Sequence, residues 1–141
     1  MKIILTVLVS VFSVGALACP NLGGSFTCVD QDGEQFSETI IQTVNADGVT
    51  EYEFSEGDTF VTDGVKRTEA IDGGTVTHSS VCAGKVLNFD IFMNATSDGF
   101  TADVKGTSTE TATGYKIDGT AVITYGGNRN SQPLSTVCTR L

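Results

Sequence analysis

The side chains able to do chemistry are few: one histidine, four cysteines and seventeen carboxylates among 141 residues. His78 shares a strand face with Val76, Ser80 and Cys82. A Ser–His or Cys–His nucleophile pair needs a carboxylate to orient the imidazole; the spacing marks none, and there is no Gly-x-Ser-x-Gly elbow. A zinc site takes three or four ligands, so one histidine beside disulfide-prone cysteines is a poor one. Asp30-Gln-Asp-Gly-Glu34 has the composition of a calcium loop but not its spacing, because Cys28 falls where the first oxygen ligand belongs; turn chemistry accounts for it. No two acids are set apart by an apolar environment as a glycosidase pair would be. Asn94-Ala-Thr96 is a glycosylation sequon that matters only in a eukaryotic secretory pathway. The sequence therefore predicts no catalytic residues, no metal and no cofactor, and the chain is not expected to be an enzyme.

The cysteines bear on location. Lys2 begins a leader whose apolar run, Ile3 to Leu17, is short for a membrane span, and Ala16-Leu17-Ala18 suits signal peptidase. Residues 1–18 are read as a signal peptide, bacterial in style, and 19–141 as one domain without a membrane-spanning segment. Export to the periplasm or the medium allows Cys19, Cys28, Cys82 and Cys138 to form two disulfides. The alternative is a lipid anchor on Cys19, for which the leucine stands one place from its usual lipobox position and which leaves an odd thiol.

Charge narrows the partners. Without Lys2, seventeen acids face seven bases. Residues 19–72 hold twelve acids against Lys66 and Arg67, whereas 73–141 are balanced. Such a surface repels phosphate, which argues against nucleic acid and anionic lipid. It serves a soluble exported protein, or an acidic docking face for a protein partner that the sequence does not identify.

The elements that must carry these groups are strands. From Lys85 to Tyr125, Leu87, Phe89, Ile91 and Met93, then Phe100, Ala102 and Val104, then Tyr115, Ile117, Gly119, Ala121 and Ile123 alternate with polar neighbours. A period of two through three runs predicts a β-meander with one buried face, broken at Ala95–Gly99 and across the polar segment Thr107 to Thr113. Upstream, strands are expected at Gly23–Asp30, Gln35–Val44 with a bulge near Ile40, Val49–Phe54, Thr59–Thr62, Val65–Ile71 and Thr75–Cys82. Leu134–Leu141 closes the series. No helix is expected, and tight turns such as Asn45-Ala-Asp-Gly48 join neighbours. The prediction is all-β: an antiparallel up-and-down β-barrel of about eight to ten strands, closed to remove its edges. Outward positions bear Glu51, Glu53, Asp90, Asp103, Lys105, Lys116 and Asp118, unlike the apolar band of an outer-membrane barrel.

Gly24-Ser25-Phe26 on the first strand and Arg140 on the last resemble a reduced calycin signature, that of lipocalins, fatty-acid-binding proteins and avidins. There a Gly-x-Trp packs its ring under an arginine near the chain end; Phe26 replaces the tryptophan here. The resemblance implies structural roles for Gly24, Phe26 and Arg140 and a small hydrophobic ligand inside the barrel. Lipocalins also tie a middle strand to the C-terminal segment, which implies Cys82–Cys138 with Cys19–Cys28. The rival pairing is Cys28–Cys138 with Cys19–Cys82. If the first and last strands pair antiparallel, setting Cys28 opposite Cys138 also sets Phe26 opposite Arg140. The sequence leaves both open.

The inward face carries Tyr52, Phe54, Leu87, Phe89, Ile91, Met93, Phe100, Val104, Tyr115, Ile117 and Ile123. It is either a filled core or an apolar cup open at one end, with Tyr52, Tyr115 or Tyr125 orienting a polar head group. In the cup, the ligand residues would be Tyr52, Phe54, Phe89, Ile91, Met93, Phe100, Tyr115 and Ile117. Two functions follow as expectations: a carrier of a small hydrophobic or amphipathic molecule, or an exported interaction or inhibitor module acting through its acidic half.

Overall fold

The computed structural model describes residues 19–141; the leader expected at 1–18 lies outside the described residues. Ten antiparallel strands follow in chain order: β1 (Gly24–Val29), β2 (Gln35–Val44), β3 (Thr50–Phe54), β4 (Thr59–Val61), β5 (Arg67–Ile71), β6 (Gly74–Ala83), β7 (Val86–Ala95), β8 (Phe100–Glu110), β9 (Gly114–Tyr125) and β10 (Asn128–Arg140). One 3-10 turn, Thr96–Asp98, sits between β7 and β8. Asx side chains shape several turns: Asp30 accepts from the Asp32 and Glu34 amides, and Asn45 from those of Asp47 and Val49. The Asp30 carboxylate is thus spent on its own loop.

Hydrogen bonding joins the strands in the order β4-β3-β2-β1-β10-β9-β8-β7-β6-β5. Chain neighbours pair throughout, except that β1 meets β10 and that β4 and β5 form the two edges. The predicted closed barrel is therefore corrected to a curled half-barrel. The Asp63-Gly64 turn accounts for the missing closure. Its backbone leaves β4 and rests on the later half of β6, through an Asp63–Val81 bridge, a Gly64 amide donating to the Ser80 carbonyl at 2.9 Å, and the Ser80 hydroxyl donating to the Val61 carbonyl at 3.1 Å. β5 then pairs only with the earlier half of β6, Gly74 to His78. The seam is joined at one end of the sheet and parted at the other.

Three sequence expectations change. β2 runs in unbroken register against both neighbours, so there is no bulge at Ile40; Ile40 points inward and Ile41 simply stands exposed. Phe36 and Val44 share the face of Ile40 but lie near the strand ends and remain exposed. β8 continues through the polar Thr107–Glu110, and β10 starts at Asn128 rather than Leu134, because ladder hydrogen bonds come from the backbone and do not require apolar side chains.

The core lies at the joined end. Leu22, Phe26, Cys28, Ile40, Tyr52, Cys82, Leu87, Tyr115 and Cys138 form one buried cluster. β1 pairs with β10 so that Cys28 faces Cys138 and Phe26 faces Arg140. The disulfides are accordingly Cys28–Cys138 and Cys19–Cys82, and the pairing implied by the lipocalin resemblance does not form. Two such bonds belong to an oxidising environment.

Candidate functional site: a cup opening at the parted seam

The closed end is built by the five residues before β1. Pro20 and Leu22 are fully buried, and the segment crosses from β1 to the opposite wall, where Cys19 is bonded to Cys82 of β6. Its backbone is held by side chains of the sheet. Gln42 Oε1 accepts from the Leu22 and Gly23 amides at 2.9 and 3.1 Å, while Gln42 Nε2 donates to the Pro20 carbonyl at 3.2 Å. The Tyr52 hydroxyl donates to the same carbonyl at 2.7 Å, and Glu110 accepts from the Asn21 amide at 2.9 Å. Arg140 donates to the carbonyls of Gly23 and Asn21 while its guanidinium carbon lies 4.8 Å from the centre of the Phe26 ring. Gly24 makes room for it: at φ +136° a Cβ there would come within 2.5 Å of the guanidinium. Phe26 also packs edge-on against Tyr115, 4.9 Å between centres.

This environment fixes the two inward tyrosines as structure. Burial, then the negative charge of Glu38, pushes the Tyr115 hydroxyl up to about 12. Burial, then Glu110, raises Tyr52 well above the ordinary phenol range. Tyr125 is largely exposed at the far end of β9. Tyr52 and Tyr115 belong to the packed end and line neither of the two cavities toward the other end.

Toward the parted end the interior is hollow. A cavity of about 430 Å³ lies between the edge strands, with Asp58, Thr59 and Phe60 on the β4 side and Glu69 and Ile71 on β5. Val76, His78, Ile91, Met93 and Val104 complete its wall. A smaller one, about 160 Å³, lies between Phe54, Phe60, Leu87, Phe89, Ile91, Ser108 and Ile117. Phe60 and Ile91 line both, so the two cavities adjoin at these side chains. The Phe60 ring stands 5.5 Å from Phe54 and 5.3 Å from His78, edge-on to each. Gly106 gives Phe89 its space: a Cβ there would fall 2.7 Å from the ring.

Of the eight residues expected to bind a ligand, the structure brings Phe54, Phe89, Ile91, Met93 and Ile117 to these cavities. Phe100 sits half-buried at the start of β8 and lines neither. Sequence reasoning missed Phe60, Glu69 and Ile71. Their only local signal was membership of two short strands, and the contact between those strands is long-range.

His78 is nine-tenths buried, its Nε2 3.5 Å from Glu69 Oε1, and Glu69 is largely exposed at the mouth. Arg67, opposite His78 in the ladder, turns away from the hollow. It makes a two-pronged bond to Asp63 at 2.7 and 2.8 Å. That bond holds the Asp63 carboxyl well below the usual carboxylate range, helped by the Val65 amide. Among the described residues no group of three or more histidine, cysteine or acidic side chains is placed to hold a metal. No helix among them is long and apolar enough to cross a membrane. Compared with known proteins, the chain matches no family model, no curated protein and no solved structure.

Proposed function

We propose that this is an exported binding protein that holds a small apolar or amphipathic molecule in the hollow between β4 and β5. The observation that carries the reading is the hollow itself. About 430 Å³ falls within the range of small-molecule sites, roughly 300–1,000 Å³, and the walls are apolar with few polar groups. A folded chain seldom leaves Phe60, Ile91, Met93 and Val104 facing empty space when their collapse would gain roughly 25 cal/mol per Å². The plug and both disulfides fasten the packed end of the sheet, which supports a site preformed at the other end.

Phe26 beneath Arg140, with Gly24 giving it space, supports a calycin-like barrel as the parent architecture, opened here at one seam. The two disulfides support work in the periplasm or outside the cell.

The test is displacement of the neutral fluorophore N-phenyl-1-naphthylamine, with native mass spectrometry for a molecule that co-purifies. Binding that is lost in Val104→Trp, which fills the hollow, is the expected result. No adduct, and no binding across a broad panel, would remove the proposal.

A further inference from the structure

Resting on that reading, we infer that the preferred ligand is an amphipathic cation, an alkyl or aryl amine whose ammonium group sits at the mouth between Asp58 and Glu69.

Register decides which turns lie at the same end of the sheet as the mouth. The plug, Glu110, Tyr115 and Arg140 lie at one end of the sheet, so the turns that end β1, β3, β5, β7 and β9 lie at the other. Four of those five turns are acidic, through Asp32, Glu56 with Asp58, Asp72 and Asp98, and none contains lysine or arginine. These turn acids, scattered over the sequence, thus lie toward one end of the sheet, the end at which the cavity opens. The cavity wall repeats the pattern: Asp58 and Glu69 are its charged members, and His78 is charged only when protonated. Arg67, the nearest cation by register, is committed to Asp63.

An apolar hollow behind an acidic rim selects by charge. Like charges at the rim repel a fatty carboxylate, while an ammonium group is drawn in and its chain buried. The carboxylates are exposed, so each contributes modestly; together they should favour a cation about three- to tenfold over its neutral analogue.

Calorimetric titration with n-octylamine, 1-octanol and octanoate at neutral pH and low salt separates the possibilities. The inference expects the amine to bind about three- to tenfold tighter than the alcohol and octanoate weakest. The gap should shrink in 0.5 M sodium chloride, and toward unity in Asp58→Asn/Glu69→Gln. Equal binding of all three, or a preference for octanoate, overturns the inference and leaves the binding site intact. A gap that survives both salt and the double substitution overturns it too. If none of the three binds and no neutral probe does, both readings fall.

Discussion

Replacing Gln42 by alanine tests whether one side chain of β2 seats the plug. Three hydrogen bonds disappear, two from the Leu22 and Gly23 amides and one to the Pro20 carbonyl. At about 0.5–1.5 kcal/mol net for each, the loss is about 1.5–4.5 kcal/mol. The upper part applies if the Leu22 amide, in a fully buried residue, finds no water in exchange. Pro20 keeps the Tyr52 hydroxyl, so its carbonyl is not orphaned. Gln42→Glu provides the contrast: it retains both acceptor contacts, strengthened by charge, against which it loses the donor to Pro20 and faces that carbonyl with a carboxylate oxygen. It should cost about 0.5–1.5 kcal/mol. Urea unfolding of the oxidised protein at neutral pH gives both values. Hydrogen exchange at the Leu22 and Gly23 amides then distinguishes local release from global weakening. Alanine should be the costlier substitution, with those two amides losing protection before the sheet does. If it costs less than about 0.5 kcal/mol, or if those two amides keep their protection, Gln42 does not hold the plug.

Three other perturbations have definite signs. Replacing Cys28 and Cys138 together with alanine frees a 110-residue separation between β1 and β10 and should cost about 2–5 kcal/mol in the same urea assay. Because Arg67 depresses the Asp63 carboxyl, the bond contributes stability above the unfolded value of about 3.9 and loses it as pH falls toward the lower folded value. Asp63→Asn should therefore unfold with a shallower acid limb below about pH 4, and unchanged steepness would refute the linkage. For the tyrosines the sign reverses: raised folded values contribute stability below about pH 10 that is lost as pH rises toward 12. In alkaline spectrophotometric titration two of the three tyrosines should stay un-ionised at about pH 11 until the fold opens; full ionisation without unfolding would contradict their burial.

Much of the sheet was legible because its side chains alternate. β2 spans Gln35–Val44 as expected, and the meander from Leu87 to Ile123 faces inward on the residues named for it. Where alternation fails, so did the reading. Thr107–Glu110 presents small polar residues on both faces, and Ser108 is buried opposite Leu87 all the same. Asn128–Pro133 is wholly exposed yet pairs with β9 residue by residue. Leu22 stands outside any strand, so no periodicity could mark it as one of the most buried side chains.

The candidate site divides in the same way. Phe54, Phe89, Ile91, Met93 and Ile117 carried a local signal, whereas Phe60, Glu69 and Ile71 depended on two edge strands approaching without pairing. Tyr52 and Tyr115 had the right parity for ligand contacts but the wrong height in the sheet. Parity chooses a face; depth along the strand is fixed by what packs across it.

From the sequence alone came a strand-built, antiparallel, acidic domain whose neighbours in the chain are neighbours in the sheet, because period, turns and charge are all local properties. The choice between two disulfide pairings needed the β1–β10 register. The plug, the parted seam, the hollow behind it and the acidic rim needed the whole curl of the sheet. Each is a contact between segments far apart in the chain, and no short window of residues contains both partners.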